Sequence, residues 1–208
     1  MGFGDIINFF FNSKKSKLKN GIHQLNYKNG NIMILGKVRK GRKVGVWKTF
    51  YENGILKSRG AYDSGQKTGY WEYFYENSQF KQKEFYKKSK REGKWTEFYK
   101  NGNLKTEVSF NGGIKQDQLK WMNENGTIQI VGNPKPGDEN GICTEFYEDG
   151  KIKSKKIYKS GLIQGQYIEY HKNGQILAFG KYKDSKKIDV WIWYDEDGKV
   201  QIEKSFDN

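Results

Sequence analysis

Large apolar and polar residues alternate along most of the chain in short runs, and a pair such as Asn-Gly or Asp-Gly interrupts each run. Alternation with a period of two marks strands that bury one face. The second residues of the interrupting pairs are Gly30, Gly54, Ser78, Gly102, Gly126, Gly150, Gly174 and Gly198, always 24 positions apart. Before them stand Asn29, Asn53, Asn77, Asn101, Asn125, Asp149, Asn173 and Asp197. So strict a period over eight units, from about Gly21 onward, predicts a repeat architecture. Asn-Gly favours a type I′ turn, in which both central residues have positive φ, so each unit reads as one β-hairpin. The predicted fold is all-β: an elongated open antiparallel meander of eight 24-residue hairpins. Its sixteen or so strands, at ~4.8 Å each, would make a sheet roughly 75 Å long.

A two-residue turn at Asn53-Gly54 sets Glu52 opposite Ile55, Tyr51 opposite Leu56, Thr49 opposite Ser58 and Trp47 opposite Gly60. One face then carries Trp47, Thr49, Tyr51, Leu56, Ser58, Gly60 and Tyr62, and is the expected core, with each indole over the glycine across its own hairpin. Trp71, Trp95 and Trp191 repeat the indole slot. Gly21, Gly45, Gly69, Gly93, Gly141 and Gly165 are expected to let the chain reverse between hairpins. On the other face Phe50, Phe74, Phe98 and Phe146 fall directly beside Lys57, Lys81, Lys105 and Lys153. Two readings of this column stand side by side. Lysine stems can cover the rings, with a cation–π benefit of roughly 0.5–1 kcal/mol per pair. Alternatively, the eight residues form an aromatic and cationic surface on which a partner docks.

Segments such as Gly69-Tyr-Trp-Glu-Tyr-Phe-Tyr-Glu-Asn77 and Tyr62-Asp-Ser-Gly-Gln-Lys-Thr-Gly-Tyr-Trp71 resemble MORN repeats, in the longer bacterial variant of the YwqK-like antitoxin family. The resemblance covers about residues 21–208 and divides the chain into that repeat domain and a leading segment, 1–20. It implies an open twisted sheet used for protein or membrane contact, and an antitoxin or immunity role beside a toxin. Departures are Asp117 and Asp189 in glycine slots, Leu119, Cys143 and Tyr167 in the tryptophan slot, and Pro134 in the slot of Tyr62. They single out the fifth unit, with Asn133-Pro-Lys-Pro-Gly137, as a place for a bend or interrupted pairing.

Composition narrows the picture further. Aromatic residues make up 16% of the 208 positions and there are two prolines, which separates the chain from disordered sequences despite a mean hydropathy of -0.96. The longest apolar stretch, Ile6 to Phe11, is far short of the roughly 20 residues that span a bilayer. One cysteine, Cys143, fits a reducing compartment, so cytoplasm is the expected location. Catalytic candidates are scarce. His23 and His171 occupy aromatic slots, Cys143 replaces a tryptophan, and the glycines of Gly36 to Gly41 lack the Lys-Ser/Thr of a phosphate loop. Neither catalysis nor a metal or cofactor is expected.

The net charge of +14 comes from 38 Lys+Arg against 24 Asp+Glu, with lysine dominant. A protein partner, a toxin with an acidic surface, fits this balance best. An anionic membrane is the alternative, because Ile6, Ile7 and Phe9 to Phe11 precede Lys14, Lys15, Lys17 and Lys19 and could anchor there, or instead cap the first hairpin. Nucleic acid is disfavoured, since few arginines and many acidic turn residues suit it poorly.

Overall fold

The computed structural model describes residues 19–116, 119–132 and 141–206, so the expected roles of 1–18 and the Pro134 segment lie outside the described residues. The first eight strands are β1 (Gly21–Asn26), β2 (Ile32–Arg39), β3 (Arg42–Phe50), β4 (Leu56–Asp63), β5 (Gln66–Phe74), β6 (Phe80–Lys87), β7 (Lys90–Phe98) and β8 (Leu104–Asn111). There follow β9 (Ile114–Lys115), β10 (Leu119–Met122), β11 (Ile128–Gly132), β12 (Gly141–Phe146) and β13 (Ile152–Lys159). The last four are β14 (Leu162–Tyr170), β15 (Ile176–Lys183), β16 (Lys186–Tyr194) and β17 (Val200–Phe206). All 17 belong to one open antiparallel sheet, and no described residue is helical. Each strand pairs with the next in the chain, except that β8 carries both β9 and β10 along its outer side. Among the described residues two pairs join β11 to β12, against five between the equivalent strands β2 and β3.

Two kinds of turn alternate, and the Asn-Gly turns are not of the type I′ expected. At Asn53-Gly54 the Gly54 amide donates to the Tyr51 carbonyl (2.9 Å) and the Tyr51 amide to the Ile55 carbonyl (2.8 Å). Gly54 has φ 85°, but Asn53 does not share the left-handed region. This is a type I turn closed by a glycine bulge. Asn53 keeps ordinary backbone because its Oδ1 accepts the Ile55 amide (3.0 Å), an Asx turn that fixes the loop without strain. The type I′ turns lie at the opposite end of the strands, as in Lys40-Gly41 (φ 51° and 70°), Lys88-Ser89 and Asp184-Ser185. There two residues link pairs such as Arg39 and Arg42. The glycines assigned to chain reversal, Gly45, Gly69, Gly93 and Gly165, have positive φ inside strands instead. They build bulges: Gly60 pairs with Trp71 and Ala61 with Thr68, which leaves Gly69 and Tyr70 unmatched.

The bulges also correct the register. Trp47 opposite Gly60 and Thr49 opposite Ser58 are as expected, but Phe50, not Tyr51, pairs with Leu56. Indoles lie over glycines, yet over those of the preceding unit. A Cβ on Gly36 would overlap the ring of Trp47, one on Gly60 the ring of Trp71, and one on Gly180 the ring of Trp191. Each indole is anchored there by Nε1, which donates to the carbonyl of Lys37 (3.2 Å), Ala61 (3.2 Å) or Lys181 (3.0 Å). Tyr62 then meets Trp47 and Trp71 edge-on, with centroids 6.1 and 5.0 Å away. The result is a core one sheet thick, in which Trp47 and Trp71 are buried on either side of Tyr62 and Trp191 is buried farther along the sheet. Where the glycine is lost the indole suffers: Glu84 takes that slot ahead of Trp95, which is only half-buried and whose Nε1 has no hydrogen-bond partner.

Trp71→Ala should therefore destabilise the protein by about 3 kcal/mol, as large aromatic deletions do. Gly60→Ala should cost about 2 kcal/mol by overpacking. Urea denaturation should show the double variant well short of the sum of the two, since both changes act on one contact.

Candidate protein-interaction surface

Single-layer packing leaves the second face of the sheet uncovered among the described residues, and the turn tyrosines decide how it is held together. Tyr27, Tyr51, Tyr75 and Tyr99 donate their phenol protons to the carbonyls of Phe50, Phe74, Phe98 and Met122, each 23 residues on, at 2.8–2.9 Å. Tyr147 does the same to Tyr170, and His171 Nε2 replaces the phenol in a 2.9 Å bond to the Tyr194 carbonyl. His171 is thus a structural substitution, as its repeat slot implied. A second ladder runs beside the first. Asn29, Asn77, Asn101 and Asn173 donate through Nδ2 to the next turn's carbonyl at Glu52, Lys100, Glu124 and Glu196. Aspartate has no proton to donate. In the Asp149 unit Lys151 Nζ reaches the Lys172 carbonyl instead (2.8 Å).

These ladders aim the candidate residues. Because Phe50 pairs with Leu56, Phe74 with Phe80, Phe98 with Leu104 and Phe146 with Ile152, none of the four phenylalanines stands opposite its lysine. Lys57, Lys81, Lys105 and Lys153 lie one step along, at the bulge, with their ammonium groups 5.1–5.9 Å from the rings of Tyr51, Tyr75, Tyr99 and Tyr147. The predicted Phe-Lys pairs are therefore Tyr-Lys pairs. Lys105 is also ion-paired with Glu97 (3.3 Å), and Lys57 and Lys105 are half-buried, whereas Lys81 and Lys153 are exposed. Phe74 and Phe98 join an apolar stripe through Phe80, with Phe50 in the same repeat slot one unit earlier. Phe74 and Phe80 have centroids 5.0 Å apart, Phe80 and Phe98 6.3 Å, and Arg59 and Lys83 stack on the cluster from adjacent strand positions. Phe50, Phe74, Phe98 and Phe146 are all half-exposed.

One polar centre interrupts the core face and was not legible as such. Glu84 is 2% exposed and accepts hydrogen bonds from Tyr73 (3.0 Å), Tyr86 (3.0 Å) and Arg91 (3.0 Å), with Lys67 at 4.0 Å. A glutamate in a glycine slot was its only signal in the sequence. Burial and the Glu84 charge push the Tyr73 phenol well up and raise that of Tyr86. Burial lowers Lys67, which Glu84 partly opposes. At the other end of the sheet burial raises the Glu145 carboxyl, but its bond to Lys156 outweighs this and holds it below the ordinary range. Each of these partners compensates the charge of Glu84 or Glu145. Cys143 is fully enclosed and burial pushes its thiol up, the opposite of an activated nucleophile. Among the described residues no three His, Cys, Asp or Glu side chains are grouped to hold a metal ion, and no helix is long and apolar enough to cross a membrane.

The fold and its uncovered, laddered faces define a β-hairpin repeat protein in which each unit is bonded to the next. The family model described as MORN repeat variant matches residues 43–64, 91–111, 139–160, 163–184 and 190–208. These segments make up just over half of the chain, and the protein belongs to that family of repeat proteins, which are often binding proteins and generally non-catalytic. No individual curated protein matches it.

The tyrosine ladder has a pH consequence. Burial raises the phenols of Tyr27, Tyr51 and Tyr147 above the ordinary 10.0, as it does Tyr73 and Tyr86. A group with a raised folded pKa gives stability that is complete below its unfolded pKa and is lost as pH rises toward the folded one. Stability should accordingly fall from about pH 10 upward, where tyrosines of the unfolded chain ionise first. Tyr51→Phe should cost about 1 kcal/mol at neutral pH and make the alkaline fall shallower, both read from denaturation midpoints.

Proposed function

We propose that this protein is a non-catalytic binding protein that neutralises a partner toxin by occluding it. The carrying observation is the half-exposed stripe of Phe50, Phe74, Phe80 and Phe98, flanked by cations and left without a covering layer among the described residues. Aromatic side chains in a rigid setting bind with little loss of conformational freedom and concentrate at interface hot spots. The ladders supply that rigidity, since the backbone carbonyls of Phe50, Phe74 and Phe98 are themselves the ladder acceptors. Family membership supports a binding role, and the antitoxin assignment extends it by resemblance to the YwqK-like variant.

Co-expression with the product of the neighbouring open reading frame tests this. Replacing Phe50, Phe74 and Phe98 by serine should abolish protection mainly through faster dissociation. Replacing Lys57, Lys81, Lys105 and Lys153 by glutamate should slow association and change its salt dependence. If a variant with all seven changes remains folded by circular dichroism and still protects fully, this face is not the interface.

A further inference from the structure

The two long edges of the sheet, formed by its two sets of turns, carry opposite charge. Along the edge of the Asn-Gly turns, segments 27–31, 51–55, 75–79, 99–103, 123–127, 147–151, 171–175 and 195–199 hold five lysines against eight carboxylates. Along the other edge, the described segments 39–43, 63–67, 87–91, 111–115, 159–163 and 183–187 hold fourteen lysines and arginines against two carboxylates, Asp63 and Asp184. The excess is concentrated. Arg39, Lys40, Arg42 and Lys43 surround one turn and Lys87, Lys88, Lys90 and Arg91 the next but one, four strands away or roughly 19 Å at ordinary strand spacing.

The fold does not explain these charges. Arg39 stands directly opposite Arg42, and Lys87 opposite Lys90, although like charges facing each other across a strand pair are unfavourable. The equivalent turn between them manages with Asp63 opposite Gln66. Arg39, Lys40, Arg42, Lys87, Lys88 and Lys90 are all exposed, and none forms an ion pair among the described residues. The first cluster also frames a pocket of about 340 Å³ lined by Arg39, Lys40, Arg42, Val44 and Ser64, with no carboxylate in its wall.

We infer that this basic edge, over β2 to β7, is a docking surface for the acidic surface of a compact protein, and that the pocket between Arg39 and Arg42 receives one of its carboxylate side chains. The span of the two clusters matches a standard interface, about 800 Å² per partner or some 28 Å across. A long, stiff and evenly charged polyanion such as a nucleic-acid duplex would instead meet the neutral turn 63–67 within the row and a much weaker excess beyond β8. The turns offer no aromatic ring on which bases could stack. The phenylalanine stripe lies beside the Asn-Gly turns at the opposite end of the strands, about 26 Å away at ordinary strand rise, so charge on this edge acts on encounter and orientation of the partner and not through the rings. The inference deepens the occlusion reading and rests on it for the partner's identity, but the charge preference can be measured alone.

The test compares the full chain with two variants of equal net charge. One carries Arg39→Glu, Arg42→Glu, Lys88→Glu and Lys90→Glu, the other Lys28→Glu, Lys100→Glu, Lys172→Glu and Lys199→Glu on the opposite edge. The probe is fluorescent poly-L-glutamate, read by anisotropy at low salt, beside a 24-base-pair DNA duplex and phosphatidylserine vesicles. The first variant should lose about tenfold in poly-glutamate affinity while the second changes by less than about twofold. Equal losses would show that net charge alone acts and overturn the inference, as would tighter binding of the duplex or the vesicles than of poly-glutamate. Co-expression keeps the two readings apart. If the first variant protects against the neighbouring gene product as well as the unmodified chain does, the edge inference fails and occlusion stands. If the unmodified chain does not protect, occlusion fails while the probe comparison still decides the edge.

Discussion

An indole ring lying on a glycine of the preceding unit is the contact on which the rest of this structure depends. A sheet one layer thick has no opposing layer to bury its apolar face, so the rings of one unit must bury those of the next. Trp47 on Gly36, Trp71 on Gly60 and Trp191 on Gly180 achieve this, and each indole nitrogen closes the joint with a backbone carbonyl. Tyrosine and asparagine ladders then bind the turns at one edge. Such bonding links each unit chiefly to its neighbours, as in other repeat arrays. Among the described residues, that leaves one face and two long edges available for contact.

Several changes along the chain follow from the same joint. When the upper residue shrinks from tryptophan to Cys143, Gly132 is so close that a Cβ would meet the Cys143 backbone. When Tyr167 replaces tryptophan, Lys156 stands opposite and is held by Glu145. Glu84 is the exception, buried as an ion and surrounded by two phenols, a guanidinium and an ammonium. A buried charge of this kind stabilises little compared with an apolar pair, and its cost is visible in the unpartnered nitrogen of Trp95.

The period, the hairpins and the Trp-bearing core face were legible because period-two alternation and the 24-residue spacing are local properties. What escaped was the effect of one extra residue. The Asn-Gly pair looks the same in a type I′ turn and in a type I turn with a glycine bulge, yet the second shifts Phe50 onto Leu56 and Lys57 onto Tyr51. Bulges at Gly45 and Gly69 were hidden likewise, since a glycine in a strand pattern signals either a bend or a reversal. The charged edge escaped for another reason. Its residues are scattered through the sequence at 24-residue steps and become a surface only when the turns are stacked.

The central claim is that the indole-on-glycine joint recurs at a 24-residue period, so that a whole unit can be removed and the joint re-formed by the next indole. Deleting Gly69 to Glu92 removes 24 residues and brings Trp95 into the place of Trp71, above Gly60, with the Ala61 carbonyl ready for its free nitrogen. Deleting residues 69–80 removes half a unit, takes Trp71 away and sets Lys83 in its place above Gly60, so the joint at the cut is lost. Urea denaturation of both proteins is the direct measurement: the 24-residue deletion should unfold cooperatively near the midpoint of the full chain, and the 12-residue deletion should not. Equal loss of stability in the two would contradict the account.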